Sequence, residues 1–295
     1  MTSDKRTPRN RRSWLFLPGA EKDILLRATH GGADVLIQEL EDFVPPERKS
    51  EARALVPEIL AGWHAAGVVA TVRINPLESG GFDDLVAAMP GCPDAVLMAM
   101  VTSPAQIRKL DETVSRHEAL LGIAPGSTEI VPNIETAAGL VQAGAIAAAS
   151  PRVTAMLVAA EDMVADLDAE RTPGCDELAY VRQRFLVECV AAGVVAIDCP
   201  YTFTGLIEAE ADMRFARSLG YKAKSLVHGA QIDLVNRLLT PSPEEIVLAQ
   251  RRVTAFEAAR AAGLDRVDVD GLMVEVPTYR AAKRLLTRAA ELGAI

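Results

Sequence analysis

Eight times along the chain, a short apolar run rich in Val, Ile and Leu gives way to a longer, Ala-rich run with helical spacing. The strand-like runs fall at residues 13–17, 35–40, 68–75, 95–100, 129–135, 153–159, 194–198 and 224–227. The helical ones fall at 22–29, 46–64, 83–89, 104–120, 137–149, 176–192, 208–219 and 232–239. Strands covered by helices on both faces need no polar side, so they read as continuous apolar segments. Gly67, Gly193 and Gly220 stand where a helix must stop before the next strand begins. Eight strand–helix units predict an α/β chain closed into a (β/α)8 TIM barrel rather than an open sheet. The barrel is assigned to residues 13–240, preceded by a mobile basic tail, 1–12. Residues 241–295 form a C-terminal helical extension: a helix at 243–262, the segment VDVDGLMVEVP, and a last helix from Thr278. Closing a barrel does not require that extension, which is free to serve as a lid or to reach a neighbouring subunit.

A length of 295 residues suits one such barrel, and 49% hydrophobic against 24% charged residues excludes a disordered chain. The net charge of -9 argues against nucleic acid as a partner, so an anionic ligand needs a local basic patch. Cys92, Cys175, Cys189 and Cys199 are far apart and form no CxxC pair, which predicts free thiols in a reducing cytoplasm. No apolar run approaches the ~18 residues of a membrane span. The run after Arg12 is broken by Pro18 and Gly19 too early for a secretory signal.

Chemistry in such a barrel sits at the carboxyl ends of the strands. Two of those ends are acidic: EIVPNIET reaches Glu135, and VTAMLVAAED reaches Glu161 and Asp162. With no cation beside them in sequence, Glu135 and Asp162 are candidate ligands for a hard ion such as Mg2+. Arg73, in TVRINP, ends the third strand and can grip a carboxylate or an oxyanion; taken alone, it reads equally well as closing a barrel salt bridge. Glu39, Glu41 and Asp42 crowd the end of the second strand, with Lys49 and Arg53 on the next helix as their expected partners. Glu41 and Asp42 read as structural, or as supporting the site from behind. Asn75 and Pro76 read as an ordinary turn. His228 ends the eighth strand on the same rim. No phosphate loop, GxSxG elbow or HExxH motif supports serine, nucleotide or zinc-protease chemistry. DVDVDG is not a calcium loop, because Arg266 takes the first ligand position.

These strand-end motifs together resemble the citrate lyase beta-subunit-like family of the HpcH/HpaI aldolase superfamily, which includes malyl-CoA and citramalyl-CoA lyases. The matching stretches are RSWLFLPG, ELEDFVPPERKSEAR, VRINP, PNIETAAGL, AAEDMVADL, AIDCPY, GYKAKSLVHGAQI and DGLMVEVP, in the family's order over nearly the whole chain. The resemblance implies Mg2+ (with Mn2+ as substitute), homo-oligomers that are often trimers or hexamers, and reversible Claisen-type cleavage of 3-hydroxyacyl-CoA. By position, Glu135 and Asp162 match its metal ligands and Arg73 its substrate-binding arginine. Phe16, Arg27, His228 and Gly229 match positions that touch the acyl-CoA, and Lys22 or Asp23 lines the same entrance. Glu275 matches a C-terminal acid presented to a neighbouring subunit's site. Three departures stand out: the family usually has Asp at positions 39 and 275 and Pro at 229.

The expectation is thus a metal-dependent carbon–carbon lyase of the oxo-acid-lyase type, releasing a 2-oxo acid and a shorter acyl-CoA. Arg73 stabilises the thioester enolate, and Glu275 protonates its carbon. Two enzyme alternatives are a malyl-CoA-type thioesterase and a CoA-independent class II 2-oxo acid aldolase. A non-catalytic subunit or metabolite-binding regulator is the contrasting class.

Overall fold

The computed structural model describes residues 6–295, which divide into two compact units, one ending at Asn236 and the other running from Arg237 to Ile295. In the first unit eight parallel strands close in sequence order: β1 (Ser13–Leu17), β2 (Val35–Glu39), β3 (Val69–Ile74), β4 (Ala95–Met98), β5 (Glu129–Ile134), β6 (Ala155–Val158), β7 (Val195–Asp198) and β8 (Ala223–Leu226). The circle shuts where Trp14 of β1 pairs with Ser225 of β8. Alternate residues fill the lumen, among them Trp14, Phe16, Ile37, Val69, Leu97, Val131, Leu157 and Ile197. Along β3 and β5 the same inward phase continues upward from Val69 and Val131 to Arg73 and Glu135, which places both at the carboxyl rim.

The helices follow the expected alternation, with informative exceptions. They are α1 (Lys22–Arg27), α2 (Lys49–Ala65), α3 (Gly81–Ala88), α4 (Pro104–Leu121), α5 (Ala137–Val141), α6 (Ala143–Ala147), α7 (Glu161–Asp166), α8 (Ala179–Ala192), α9 (Leu206–Leu219) and α10 (Ile232–Leu239). The single helix expected over 137–149 is broken at Gln142, whose side-chain amide donates to the Thr102 carbonyl at 2.8 Å. A six-residue helix, α7, occupies a stretch that sequence periodicity left unassigned. The strand expected to run to residue 100 stops at Met98, and Met100 turns left-handed at φ 54°. Gly19 is obligatory in LPG, because a Cβ there would lie 1.6 Å from the Glu39 carbonyl oxygen.

The expected mobile tail is corrected over its described part, while residues 1–5 lie outside the described residues. Arg11 forks onto Glu129 at 2.7 and 2.8 Å, and Arg12 grips Asp34 at 2.8 and 2.9 Å. Basic residues adjoining the amino ends of β2 and β5 find carboxylates there, so the segment before β1 is pinned.

The second unit holds α11 (Pro243–Ala261), a hairpin of β9 (Val267–Val269) and β10 (Leu272–Val274), and α12 (Val276–Glu291). A capping box between Ser242 and Glu245 starts α11. Both central residues of the hairpin turn have positive φ, Asp270 at 55° and Gly271 at 79°, as a two-residue type I′ turn requires. Phe256 stacks on Tyr279 at 4.9 Å and packs with Val269 and Val274, fixing the hairpin against its helices. Among the described residues, no helix is long and apolar enough to cross a membrane.

Candidate active site

The carboxyl rim gathers acids around one guanidinium. Arg73 donates from Nε to Glu39 at 2.5 Å, and its Nη1 and Nη2 atoms lie 3.3 Å from Glu135 and 2.9 Å from Glu41. Its planar head also lies over two aromatic rings, Phe16 at 5.0 Å and Phe43 at 5.7 Å. Three acids and two rings fix one fork, which a lysine could not imitate. The salt-bridge reading and the functional reading of Arg73 therefore describe the same contacts.

Glu135 is held from a second side: the backbone N–H of left-handed Met100 donates to its Oε2 at 2.6 Å. Burial nevertheless pushes the Glu135 carboxyl up to about 8, against the pull of Arg73 and that N–H; the charges of Asp162 and Glu41 add to the rise. Burial likewise lifts Glu41 to about 7, with Arg73 opposing and Glu39 reinforcing, and it raises Glu39 as well. Asp162 stands exposed at the start of α7, yet the protein on its inner side, and then the charge of Asp42, raise it above the ordinary aspartate value. Three acids thus share the contacts of one guanidinium, whose charge also acts on Asp162.

Lys49 and Arg53, expected to neutralise the second-strand acids, do not. The Lys49 ammonium donates to the carbonyls of Leu40 and Glu41 and to Asn75 Oδ1, at 2.8–3.0 Å. Arg53 pairs with Asp84 at 2.7 Å. Both are held by nearer groups after the chain turns at residue 40. Asn75 is correspondingly more than a turn residue, because its amide bridges Leu40 O and Asp84 at 2.8 and 2.7 Å.

The remaining expected residues are more scattered. His228 Nε2 bonds the Thr202 carbonyl at 2.8 Å, and Gly229 opens a short 3-10 turn. Nothing in space requires glycine at 229, since the nearest atom to an added Cβ is Ile232 Cδ1 at 4.0 Å. Arg27 is exposed in the last turn of α1. Glu275 belongs to the second unit, where it directly precedes α12 without a side-chain bond to the helix and lies 3.6 Å from Arg266 Nη1. Sequence reasoning missed Glu39 as the nearest partner of Arg73, Phe43 beside it, and the Met100 N–H. Phe43 directly follows the acidic Glu41–Asp42 pair, a signal that could have been read.

Among the described residues no three His, Cys, Asp or Glu side chains form a ready-made metal cage. Mg2+ does not need one, because it binds through one or two carboxylates and keeps water or substrate oxygens. The donor set fits a hard cation: Glu135 and Asp162 offer carboxylate oxygens, raised first by burial and further by neighbouring carboxylates, and a bound cation would offset both.

Residues 12–229 match the model of the HpcH/HpaI aldolase/citrate lyase family. The chain belongs to that family. It is 34% identical over 294 residues to citrate lyase subunit beta of Escherichia coli K12, covering 98% of this chain and 96% of the relative. It is 32% identical over 289 residues to a (3S)-malyl-CoA thioesterase of Cereibacter sphaeroides ATCC 17029, covering 96% of both. Among solved structures, CitE from Mycobacterium tuberculosis in complex with magnesium, acetoacetate and coenzyme A aligns with a TM-score of 0.77. That structure is 26% identical, over 96% of this chain and 99% of CitE. Family membership and the closed barrel therefore agree with the reading of the strand-end motifs.

Proposed function

We propose that this protein is a Mg2+-dependent lyase that reversibly cleaves a 3-hydroxyacyl-CoA of the malyl- or citramalyl-CoA type into a 2-oxo acid and a shorter acyl-CoA. The observation that carries this reading is the shared contact of Arg73 and Glu135 at the barrel mouth, with the charge of Asp162 acting on the same acid. Support comes also from the CitE relative, whose structure holds magnesium and coenzyme A together.

Glu135 and Asp162 would hold the cation. When bound, Mg2+ (or Mn2+) supplies Lewis acidity to the hydroxyl and carboxylate oxygens of the acyl group. The protein's own residues do the rest. The Met100 N–H keeps Glu135 aimed, and Phe16 and Phe43 hold the Arg73 fork flat. As the C–C bond breaks, its electron pair enters the thioester enolate, whose oxygen Arg73 stabilises with a charge fixed at any working pH. The hydroxyl proton passes to solvent water as the 2-oxo acid forms, and the Glu275 carboxyl, in its protonated form, gives its proton to the enolate carbon. In this reading a neighbouring subunit of a trimer or hexamer delivers Glu275, and Arg27, Phe16, His228 and Gly229 line the acyl-CoA. The four free cysteines agree with a reducing, cytoplasmic setting.

A second reading, a malyl-CoA-type thioesterase, is favoured by the Cereibacter relative and by Glu275, one methylene longer than the Asp expected there. Product analysis separates the two. With Mg2+ and a panel of malyl-, citramalyl- and citryl-CoA, a lyase yields a 2-oxo acid and a shorter acyl-CoA. A thioesterase yields the hydroxy-diacid and free CoA. Protein that turns over no member of the panel would contradict both.

A further inference from the structure

Asp162 sits on α7, a helix of only six residues. One and a half turns cannot hold themselves, because helix nucleation costs more than so few hydrogen bonds return. The direction of Asp162 is therefore imposed from outside the helix, and the structure shows where. At the far end of α7, Asp166 accepts the Ala137 N–H at 2.7 Å, two residues beyond Glu135. At the near end, Glu161 Oε1 accepts from Arg171 Nε at 3.0 Å and from the Thr202 hydroxyl at 2.5 Å.

Arg171 is the hub of that near end. Its Nη1 donates to Glu177 at 2.7 Å and to the Thr172 carbonyl and Cys175 Sγ, each at 3.1 Å. Its Nη2 reaches Thr202 Oγ1 at 3.4 Å, and its head lies 5.0 Å from the centre of the Phe203 ring. The carbonyl of Thr202 is the partner of His228. One guanidinium thus ties the loop after β6 to the loop after β7, which in turn holds the residue that ends the β8 rim. The side chain is 13% exposed although Glu161 is 54% exposed, so the hub is better protected than its acid. A lone half-exposed ion pair would contribute little, whereas convergence of five polar groups and a ring on one planar head fixes geometry.

We infer that Arg171 is a positioning residue that presents Asp162 to the divalent cation, acting through Glu161 and the first turn of α7. The inference rests on Asp162 being a cation ligand, as the proposed function has it. Outer groups that orient metal ligands commonly set affinity by roughly 10- to 100-fold.

The test is Mg2+ binding to the full chain without substrate, followed by titration calorimetry, with Mn2+ and its EPR signal as a second probe. Asp162→Asn serves as the reference. Arg171→Leu should weaken Mg2+ binding by about 10-fold or more and speed amide exchange across α7, while far-UV circular dichroism stays unchanged. Arg171→Lys should recover little, since the three donors of an ammonium cannot serve five polar partners or reproduce a planar fork over the Phe203 ring. Should Arg171→Leu not fold, Thr202→Val carries the test: it removes one hydroxyl and should weaken Mg2+ binding several-fold. Mg2+ binding within two-fold of wild type in the folded Arg171 or Thr202 variant, alongside its loss in Asp162→Asn, overturns the inference and leaves the proposed site standing. Wild-type binding that Asp162→Asn does not alter overturns the site itself.

Discussion

The two ends of the barrel handle charge in opposite ways. At the amino ends of the strands acids are matched with bases, most of them arginines. Arg11 pairs with Glu129, Arg12 with Asp34, and Arg152 with Asp111 at 2.7 Å and Glu118 at 2.6 Å. The Arg152 guanidinium, aided by the N–H groups of Thr128 and Gly126, outweighs burial and holds Glu118 down at about 2. At the carboxyl ends three acids, Glu39, Glu41 and Glu135, converge on Arg73 alone, and Glu135 is pushed up to about 8. The closed end has satisfied its charges and gains stability from them. The open end crowds its acids around one guanidinium, and in the proposed function a bound cation offsets that crowding, so that chemistry and stability divide between the faces of this fold.

The largest effect that would sharpen this contrast is at Arg73. In the proposed function Arg73→Ala removes the guanidinium that stabilises the enolate, so kcat/KM on the true thioester substrate should fall about 100-fold or more. Near-normal kcat in that variant would remove its assigned role. The mirror experiment is Arg152→Ala, which strips a buried acid of its partner and should cost about 3 kcal/mol in urea unfolding. Its specific activity, measured on the fraction that is folded, should be unchanged; a large loss there would erase the division between the two ends.

Proton linkage should carry opposite signs at the two ends. Glu135 has a folded value near 8 against an ordinary 4.5, so the folded metal-free protein binds the extra proton between them. Stability from that group is full below 4.5 and is lost as pH rises through 8. Glu118 behaves in reverse: its contribution is present above 4.5 and is lost as pH falls through about 2. Glu135→Gln should therefore stabilise the metal-free protein at pH 8 but not at pH 4.5, as urea midpoints would show. Glu118→Gln should destabilise it at neutral pH. Midpoints that shift in the same direction would contradict the contrast. Mg2+ binding at neutral pH should also release protons, visible as a buffer-dependent heat. The smallest expected effect is at Phe16: Phe16→Leu removes one ring face from Arg73, about 1 kcal/mol, and should lower kcat/KM only several-fold.

Much of this architecture was legible because barrel strands are buried on both faces and so leave unbroken apolar runs. Gly67, Gly193 and Gly220 all adopt the positive φ that ends a helix. Position along those runs was enough to bring Arg73 and Glu135 to one rim. What escaped had no period to read. The α7 helix is shorter than two turns, and the break at Gln142 depends on a carbonyl forty residues away. Lys49 and Arg53 were assigned to the wrong acids because sequence proximity cannot show that the chain turns at Leu40, where backbone oxygens compete for the ammonium. The grip of Glu39 on Arg73 was hidden for the same reason: adjacent barrel strands bring together residues thirty-four positions apart.

The hairpin before α12 works as a set-screw. Its pairing, with Val274 opposite Val267, is locked by the two left-handed residues at its tip. Adding or deleting a single residue there would slide one strand against the other and turn each following side chain to the opposite face. Whatever chemistry is asked of Glu275, its aim is thus decided four and five residues upstream, by the dipeptide at the hairpin tip.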